Sequence, residues 1–311
     1  MKQAKGHETL TDRESMQIQW YPGHMAKARR MLTEHLKMID VVVELVDARA
    51  PAATRNPDFD ALFATKSRVV LLNKADIADA AANKAWIAYF AGNGVFAAEI
   101  NATAKNAQKT AAGLIARAAR PKTEAWKARG VNKVVRCMVV GIPNVGKSTL
   151  INCMAGVHRA QVGDRPGVTK GKQWVRISPY LELMDTPGLL WPKLENPLHA
   201  LHLACLGSIN DEIMDAERLA AELLSELMIH CPDAVCARYG TQLQHAPQSE
   251  LLAAVAKKRG FLLRGGELDT ERAARVVLDE YRGGRIARIT LERPESAEQT
   301  VDSADGGEYG T

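Results

Sequence analysis

Residues Gly141-Ile-Pro-Asn-Val-Gly146-Lys147-Ser148 match G-x-x-x-x-G-K-[ST], between an apolar run at 134–140 and a helical pattern opening at Lys147. No other stretch constrains the fold as tightly. Within one loop a strand must end, the backbone must curl and a helix must begin. The glycines let successive N–H groups turn toward phosphate oxygens, and the helix N-terminus adds a favourable dipole. Lys147 is placed to reach β- and γ-phosphates and Ser148 to ligate Mg²⁺. Asn144, Val145, Gly146 and Thr149 belong to the same nucleotide-binding stretch.

Further motifs surround it. Asp185-Thr-Pro-Gly188 follows an apolar run, so the Asp185 carboxylate supplies a second contact for the metal and the Gly188 amide approaches the γ-phosphate. Between them, Thr169 in Gly167-Val-Thr169 is the candidate switch hydroxyl, a further Mg²⁺ ligand and part of the catalytic set with Lys147. Asn73-Lys74-Ala75-Asp76 ends another apolar run. Asp76 can accept from N1–H and the exocyclic amine of guanine, a donor pair that adenine lacks; each charge-assisted bond is worth about 1.5–3 kcal/mol. The stem of Lys74 can lie along the base. Asn101-Ala102-Thr103, after the next run, can support the same base edge. Taken singly, each is also readable as an ordinary polar turn. Their order is unusual: base-reading, base-supporting, phosphate loop, switch Thr, D-T-P-G. The cyclic order of a small G protein is intact and only the cut point has moved, as a sheet permits when the old termini lie together at the surface.

Strand-like runs at 41–46, 68–72, 95–100 and 134–140 alternate with helical patterns at 24–38, 106–120 and from Lys147, and 173–177 with 180–184 reads as a strand pair. This predicts an α/β fold, a mainly parallel six-stranded sheet with helices on both faces. Beyond about Glu195 helical periods dominate, at 197–205, 212–230, 232–239, 250–258 and 271–281, with one more strand expected at 286–291. The expected organisation is a flexible extension 1–17, a GTP-binding domain 18–193, a smaller helical domain 194–292 and a disordered tail 293–311. Hydrophobic residues make up 46% of the 311, enough for a packed core. Five cysteines without C-x-x-C argue against disulfides and a zinc module. No apolar run reaches the length of a membrane helix, and the mixed-charge start lacks the pattern of a leader, so a cytoplasmic protein is expected. The net charge is only +5, yet basic residues cluster at 117–136 and 27–37. Those clusters are readable as solvated helix faces or as a nucleic-acid surface.

Together with Trp20-Tyr-Pro-Gly-His24-Met25, Asp47-Ala-Arg49-Ala-Pro51 and Arg55-Asn56-Pro57, these motifs make the chain resemble the ribosome biogenesis GTPase A family of circularly permuted GTPases over residues 18–292. The resemblance implies GTP hydrolysis during late maturation of the large (50S) ribosomal subunit, with that subunit and its rRNA as partners and a monomeric protein. One departure is Asn101-Ala102, where the family has Ser-Ala. Many G proteins place a water-orienting Gln after D-x-x-G, but here the residue is Leu189. The resemblance implies His24 as its substitute, and Asn144 as a K⁺ ligand beside Mg²⁺ and GTP or GDP. D-T-P-G runs almost directly into the helical domain, so a rearranging switch would pull on it. The alternatives are a GTP-gated RNA scaffold with little catalysis, a mitochondrial homologue and a small-subunit GTPase. Small-subunit relatives carry an N-terminal barrel or a cysteine-rich module, and neither fits this sequence.

Overall fold

The computed structural model describes residues 22–156, 173–191, 194, 196–209 and 215–294, with the side chains of 22–26 and of residue 28 left aside. Six strands form one sheet: β1 (Val41–Asp47), β2 (Ser67–Asn73), β3 (Phe96–Glu99), β4 (Val135–Val140), β5 (Gln173–Ser178) and β6 (Leu181–Asp185). Their spatial order is β3-β2-β1-β4-β6-β5, parallel except for β5, which runs antiparallel to β6. β1 is central and buried along its whole length, as a run of Val and Leu requires when helices cover both faces.

The alternation of β1 sorts the core. Val41, Val43 and Leu45 join the cluster beneath α4 (Ala107–Ala128) and α5 (Lys147–Ala155). Val42 faces the opposite cluster, where Leu32 and Leu36 of α1 (Pro22–Leu36) meet Phe59 and Phe63 around α2 (Asp58–Leu62). Val46 packs with Trp86 and Phe90 of α3 (Ala80–Gly92). The first cluster continues without a break into α6 (Pro197–Cys205), α7 (Ala216–His230), α8 (Pro232–Tyr239), α9 (Leu251–Arg259) and α10 (Thr270–Arg282).

Four elements depart from the sequence reading. α3 was not anticipated, although Asp79 caps it by accepting from the Ala82 amide (2.6 Å). α4 runs past 120 through Pro121 to Ala128. Pro121 is exposed, so water can satisfy the carbonyl it leaves behind, and Lys122 anchors the extension on the Asp40 carbonyl (3.2 Å). Residues 286–291 are irregular rather than a strand. Their amides bond to loops: Ile289 to the Ile77 carbonyl (3.3 Å) and Leu291 to the Arg49 carbonyl (2.7 Å). Finally, α7 begins at Ala216 behind the Asp215 cap, later than the expected 212.

The end of the described chain clasps the loop after β1. Glu292 accepts the amides of Ala52 (2.6 Å) and Ala53 (3.1 Å), and its carbonyl accepts from Trp86 Nε1 (3.2 Å). The same carboxylate touches His202 Nδ1 (2.8 Å), while His202 Nε2 meets Glu226 (2.8 Å). His202 is fully buried. Burial alone would lower its pKa, but the two carboxylates raise it to about 9, so it carries its charge at neutral pH.

Candidate nucleotide site

The C-terminal ends of β1, β2, β4 and β6 converge where the strand order reverses between β1 and β4, the place where open parallel sheets hold ligands. A cavity of about 730 Å³ lies there. Its lining brings together Asn73, Lys74 and Asp76 from one loop, Asn101, Ala102 and Thr103 from the next, and Asn144, Gly146 and Thr149 from the phosphate loop.

Asn73 is the joint between these loops. Its Nδ2 donates to the Val145 carbonyl (2.8 Å) and its Oδ1 accepts the Ala102 amide (2.9 Å). Gly146 has φ +102, and a Cβ there would collide with the Asn73 amide, so only glycine lets the phosphate loop approach the base-reading loop this closely. Lys74 takes a left-handed φ of 60°, turning the chain so that Asp76 stands exposed at the cavity. The Lys74 ammonium sits 2.8 Å from Asp47 Oδ2. Asn101 folds its own loop instead of reaching outward, its Oδ1 accepting the Thr103 amide (2.9 Å) and hydroxyl (2.6 Å).

Phosphate-side chemistry is tightly packed. Lys147 is buried and donates to the Ile142 carbonyl (2.7 Å). Burial pulls its pKa down to about 8 against the opposing pull of Asp185. The Ser148 hydroxyl bonds Asp185 Oδ2 (2.9 Å), and Asp185 Oδ1 is buried with no hydrogen-bond partner among the described residues. Burial raises the Asp185 carboxyl. A hydroxyl paired with a carboxylate that keeps an orphaned, desolvated oxygen suits a hard divalent cation such as Mg²⁺, which prefers few protein oxygens plus phosphate and water. Gly188 lies against the loop, where a Cβ would be 2.6 Å from the Pro143 nitrogen. Leu189 donates its amide to the Gly141 carbonyl (3.1 Å) and buries its side chain in the cluster shared with α1. Asn144 donates to the Gly207 carbonyl (2.7 Å), in the turn after α6.

Two residues expected at the site have no described side chain: Thr169 lies within the undescribed stretch 157–172, and His24 is described only as backbone in the first turn of α1. Other contributors had no part in the nucleotide site as read from the sequence. Arg49 is fully buried and grips Asp47 with two bonds (2.9 and 2.8 Å). Burial alone would raise the Asp47 carboxyl, but Arg49 and Lys74 hold it well below the carboxylate range. Leu206, Gly207, Ile209, Asp279 and Arg282, all from the helical part, also line the cavity. No local pattern marks them; only their position in the fold does.

A sheet of this order, with a phosphate loop, D-T-P-G and N-K-A-D gathered in permuted sequence, defines a circularly permuted P-loop GTPase. A family model described as 50S ribosome-binding GTPase matches residues 136–261. The chain is similar to ribosome biogenesis GTPase A from Bacillus cereus, 45% identical over 93% of this chain and 98% of the relative, and to its Thermotoga maritima namesake, 34% identical over 89% and 95%. The chain belongs to the ribosome biogenesis GTPase A family: it binds guanine nucleotide and hydrolyses GTP. Among solved structures it is similar to GNP-bound YlqF from T. maritima, with a TM-score of 0.62 and 29% identity over 86% of this chain and 99% of that one.

Proposed function

We propose that the protein hydrolyses GTP during late assembly of the large ribosomal subunit, binding that subunit and its rRNA as a monomer in the cytoplasm. The observation that carries the reading is the joining of base-reading and phosphate loops through Asn73 around one cavity, in a chain whose relatives are named for ribosome biogenesis. The description of the matching family model, a 50S ribosome-binding GTPase, supports the choice of subunit.

In this mechanism Asp76 selects guanine, with Lys74 along the base and the Asn101-Ala102 loop beside its edge. Amides of Val145, Gly146 and Thr149 cradle phosphate, and Lys147 exchanges the Ile142 carbonyl for phosphate oxygens. Ser148, Asp185 and Thr169 would hold Mg²⁺, which would supply positive charge against the phosphates. His24 orients the attacking water. The helix that bears it packs its Leu32 and Leu36 in the same cluster as Leu189, the residue next to D-T-P-G. Asn144 offers an oxygen to K⁺.

We read residues 18–193 as the GTPase domain and 194–292 as the helical rRNA-facing domain, between an N-terminal extension and a tail. The basic surface supports the RNA reading. Arg117, Lys133 and Arg136 are exposed and stack over Phe96 (4.7 Å), Trp126 (5.0 Å) and Trp174 (5.6 Å), an arrangement suited to phosphates beside unpaired bases. Among the described residues no helix is long and apolar enough to cross a membrane.

Sedimentation with 30S, 50S and 70S particles under GTP, GDP and a non-hydrolysable analogue tests the proposal. Selective 50S association that depends on nucleotide is expected; association with 30S alone would overturn it. Multiple-turnover hydrolysis should rise with 50S particles and fall sharply in His24→Ala, whereas a scaffold would show no such stimulation. Faster turnover in K⁺ than in Na⁺ buffer is expected from the Asn144 assignment, and equal rates would count against it.

A further inference from the structure

The outer wall of the cavity comes from a part of the chain that holds no nucleotide motif. Gly207 follows α6, while Asp279 and Arg282 end α10. Arg282 Nε donates to the Cys205 carbonyl (3.0 Å) and its Nη2 to the Ala204 carbonyl (2.9 Å), closing the C-terminus of α6. Its guanidinium lies over Gly207, where a Cβ would come within 3.3 Å of it. The Gly207 carbonyl in turn accepts the Asn144 amide of the phosphate loop.

A second path leads from the same helix end to the base. The carbonyls of Tyr281 (3.2 Å) and Arg282 (3.1 Å) accept from Arg49 Nη1. Arg49 holds Asp47, and Asp47 holds the Lys74 ammonium. Gly284, at φ +66, sits directly against the side chain of Ile77, the residue after Asp76. Through Asn73 the base-reading loop rejoins the phosphate loop. The contacts therefore close a ring around the cavity: phosphate loop, turn after α6, end of α10, base-reading loop.

We infer that Arg282 is a nucleotide-positioning residue and that, through this ring, the helical part senses whether the site is filled by either GDP or GTP. The inference rests on the nucleotide occupying this cavity. A guanidinium on the wall of a polyphosphate site stabilises the bound anion by its charge while its donors stay on the α6 carbonyls. Arg282 and Gly207 line the cavity together with Asn73, Lys74 and Asp76 of the base-reading loop and Gly146 and Thr149 of the phosphate loop, and the base, ribose and proximal phosphates are what GDP and GTP share. A ligand bridging two parts of a molecule tightens their docking by the same factor that their docking tightens the ligand. This route is separate from the D-T-P-G connection, which responds to the γ-phosphate. It distinguishes empty from filled, where the switch distinguishes GTP from GDP.

Hydrogen exchange and nucleotide binding on the full chain test the proposal. In the wild type, exchange at residues 203–209 and 277–284 should slow by a similar factor with GDP and with a non-hydrolysable GTP analogue. Arg282→Gln should weaken fluorescent GDP binding about tenfold, the loss expected when one positive charge leaves the wall of the site. KM for GTP should rise by a similar factor with kcat nearly unchanged, and Arg282→Lys should recover much of the affinity. A role confined to capping α6 would lower thermal stability and leave GDP affinity intact. The proposal fails if Arg282→Gln binds GDP as the wild type does, or if protection in the wild type appears only with the GTP analogue. A wild type that bound no GDP at all would instead overturn the assignment of the cavity itself.

Discussion

Asp76 and Lys147 are the residues we assign to the two ends of the nucleotide, and each assignment has a consequence that can be measured. Asp76 stands exposed at the cavity with its loop held by Lys74 and Asn73. Replacing its carboxylate by an amide in Asp76→Asn removes an acceptor from the exocyclic amine of guanine and offers a donor in its place. GTP affinity should fall at least tenfold, while xanthosine triphosphate, which presents an oxygen there, should be gained as a substrate. Competition binding with both nucleotides checks this; unchanged GTP preference would contradict the base-reading role. Lys147 has its pKa lowered to about 8 by burial. Phosphate oxygens favour the ammonium, so the pKa rises on binding. Between the two values, nucleotide binding takes up a proton, and affinity should decline as pH climbs above about 8. Calorimetry in buffers of different ionisation enthalpy would reveal the uptake, and its absence in Lys147→Ala would assign it.

Helix α6 is held at both ends, by the Asn196 cap at its start and by Arg282 at its close, while His202 in its middle bridges Glu226 of α7 and Glu292. The folded pKa of about 9 lies above the usual 6.5. His202 therefore contributes about 3 kcal/mol of stability below pH 6.5, and that contribution is lost as pH rises through 9. The gap in thermal midpoint between wild type and His202→Gln should be wide at pH 6 and narrow at pH 10, as read by differential scanning calorimetry. At this scale the sequence was legible where burial imposes a local pattern. The β-branched runs of β1, β2 and β4 could sit only in the middle of a covered sheet, and the motif order placed them. Less legible was α3, whose Trp86 and Phe90 stripe begins behind the Asp79 cap in an Ala-rich stretch with weak periodicity. Residues 286–291 carry buried Ile and Leu at near-strand spacing, yet they pair with loops that the sequence gives no means of locating. The same limit applies to the site. Asn73, Asp76 and Ser148 sit in motifs whose chemistry names their role, whereas Arg49, although within Asp47-Ala-Arg49-Ala-Pro51, and Arg282 gain their roles from partners distant in sequence.

On the scale of the whole molecule, sheet and helices share one core, and the segment ending at Glu292 ties them together. Glu292→Ala strips acceptors from two backbone amides and leaves His202 with one carboxylate. Removing one partner of a buried ion pair typically costs about 3–5 kcal/mol. The wild type should unfold in a single calorimetric transition, and Glu292→Ala should lower and broaden it, with the helical part melting first. A variant melting like the wild type would show that the clasp adds nothing to cohesion. The clasp also bears on how the chain is made. β1 and the loop behind it are synthesised early, yet the residue that fastens this loop lies near the other end. A growing chain can pair β1 with β2 and add the phosphate loop much later, but it cannot lock them until Glu292 has left the translating ribosome. Fastening of the loop behind β1 thus waits on a residue made long after the phosphate loop, so a chain still short of Glu292 carries its motifs on an unclasped frame.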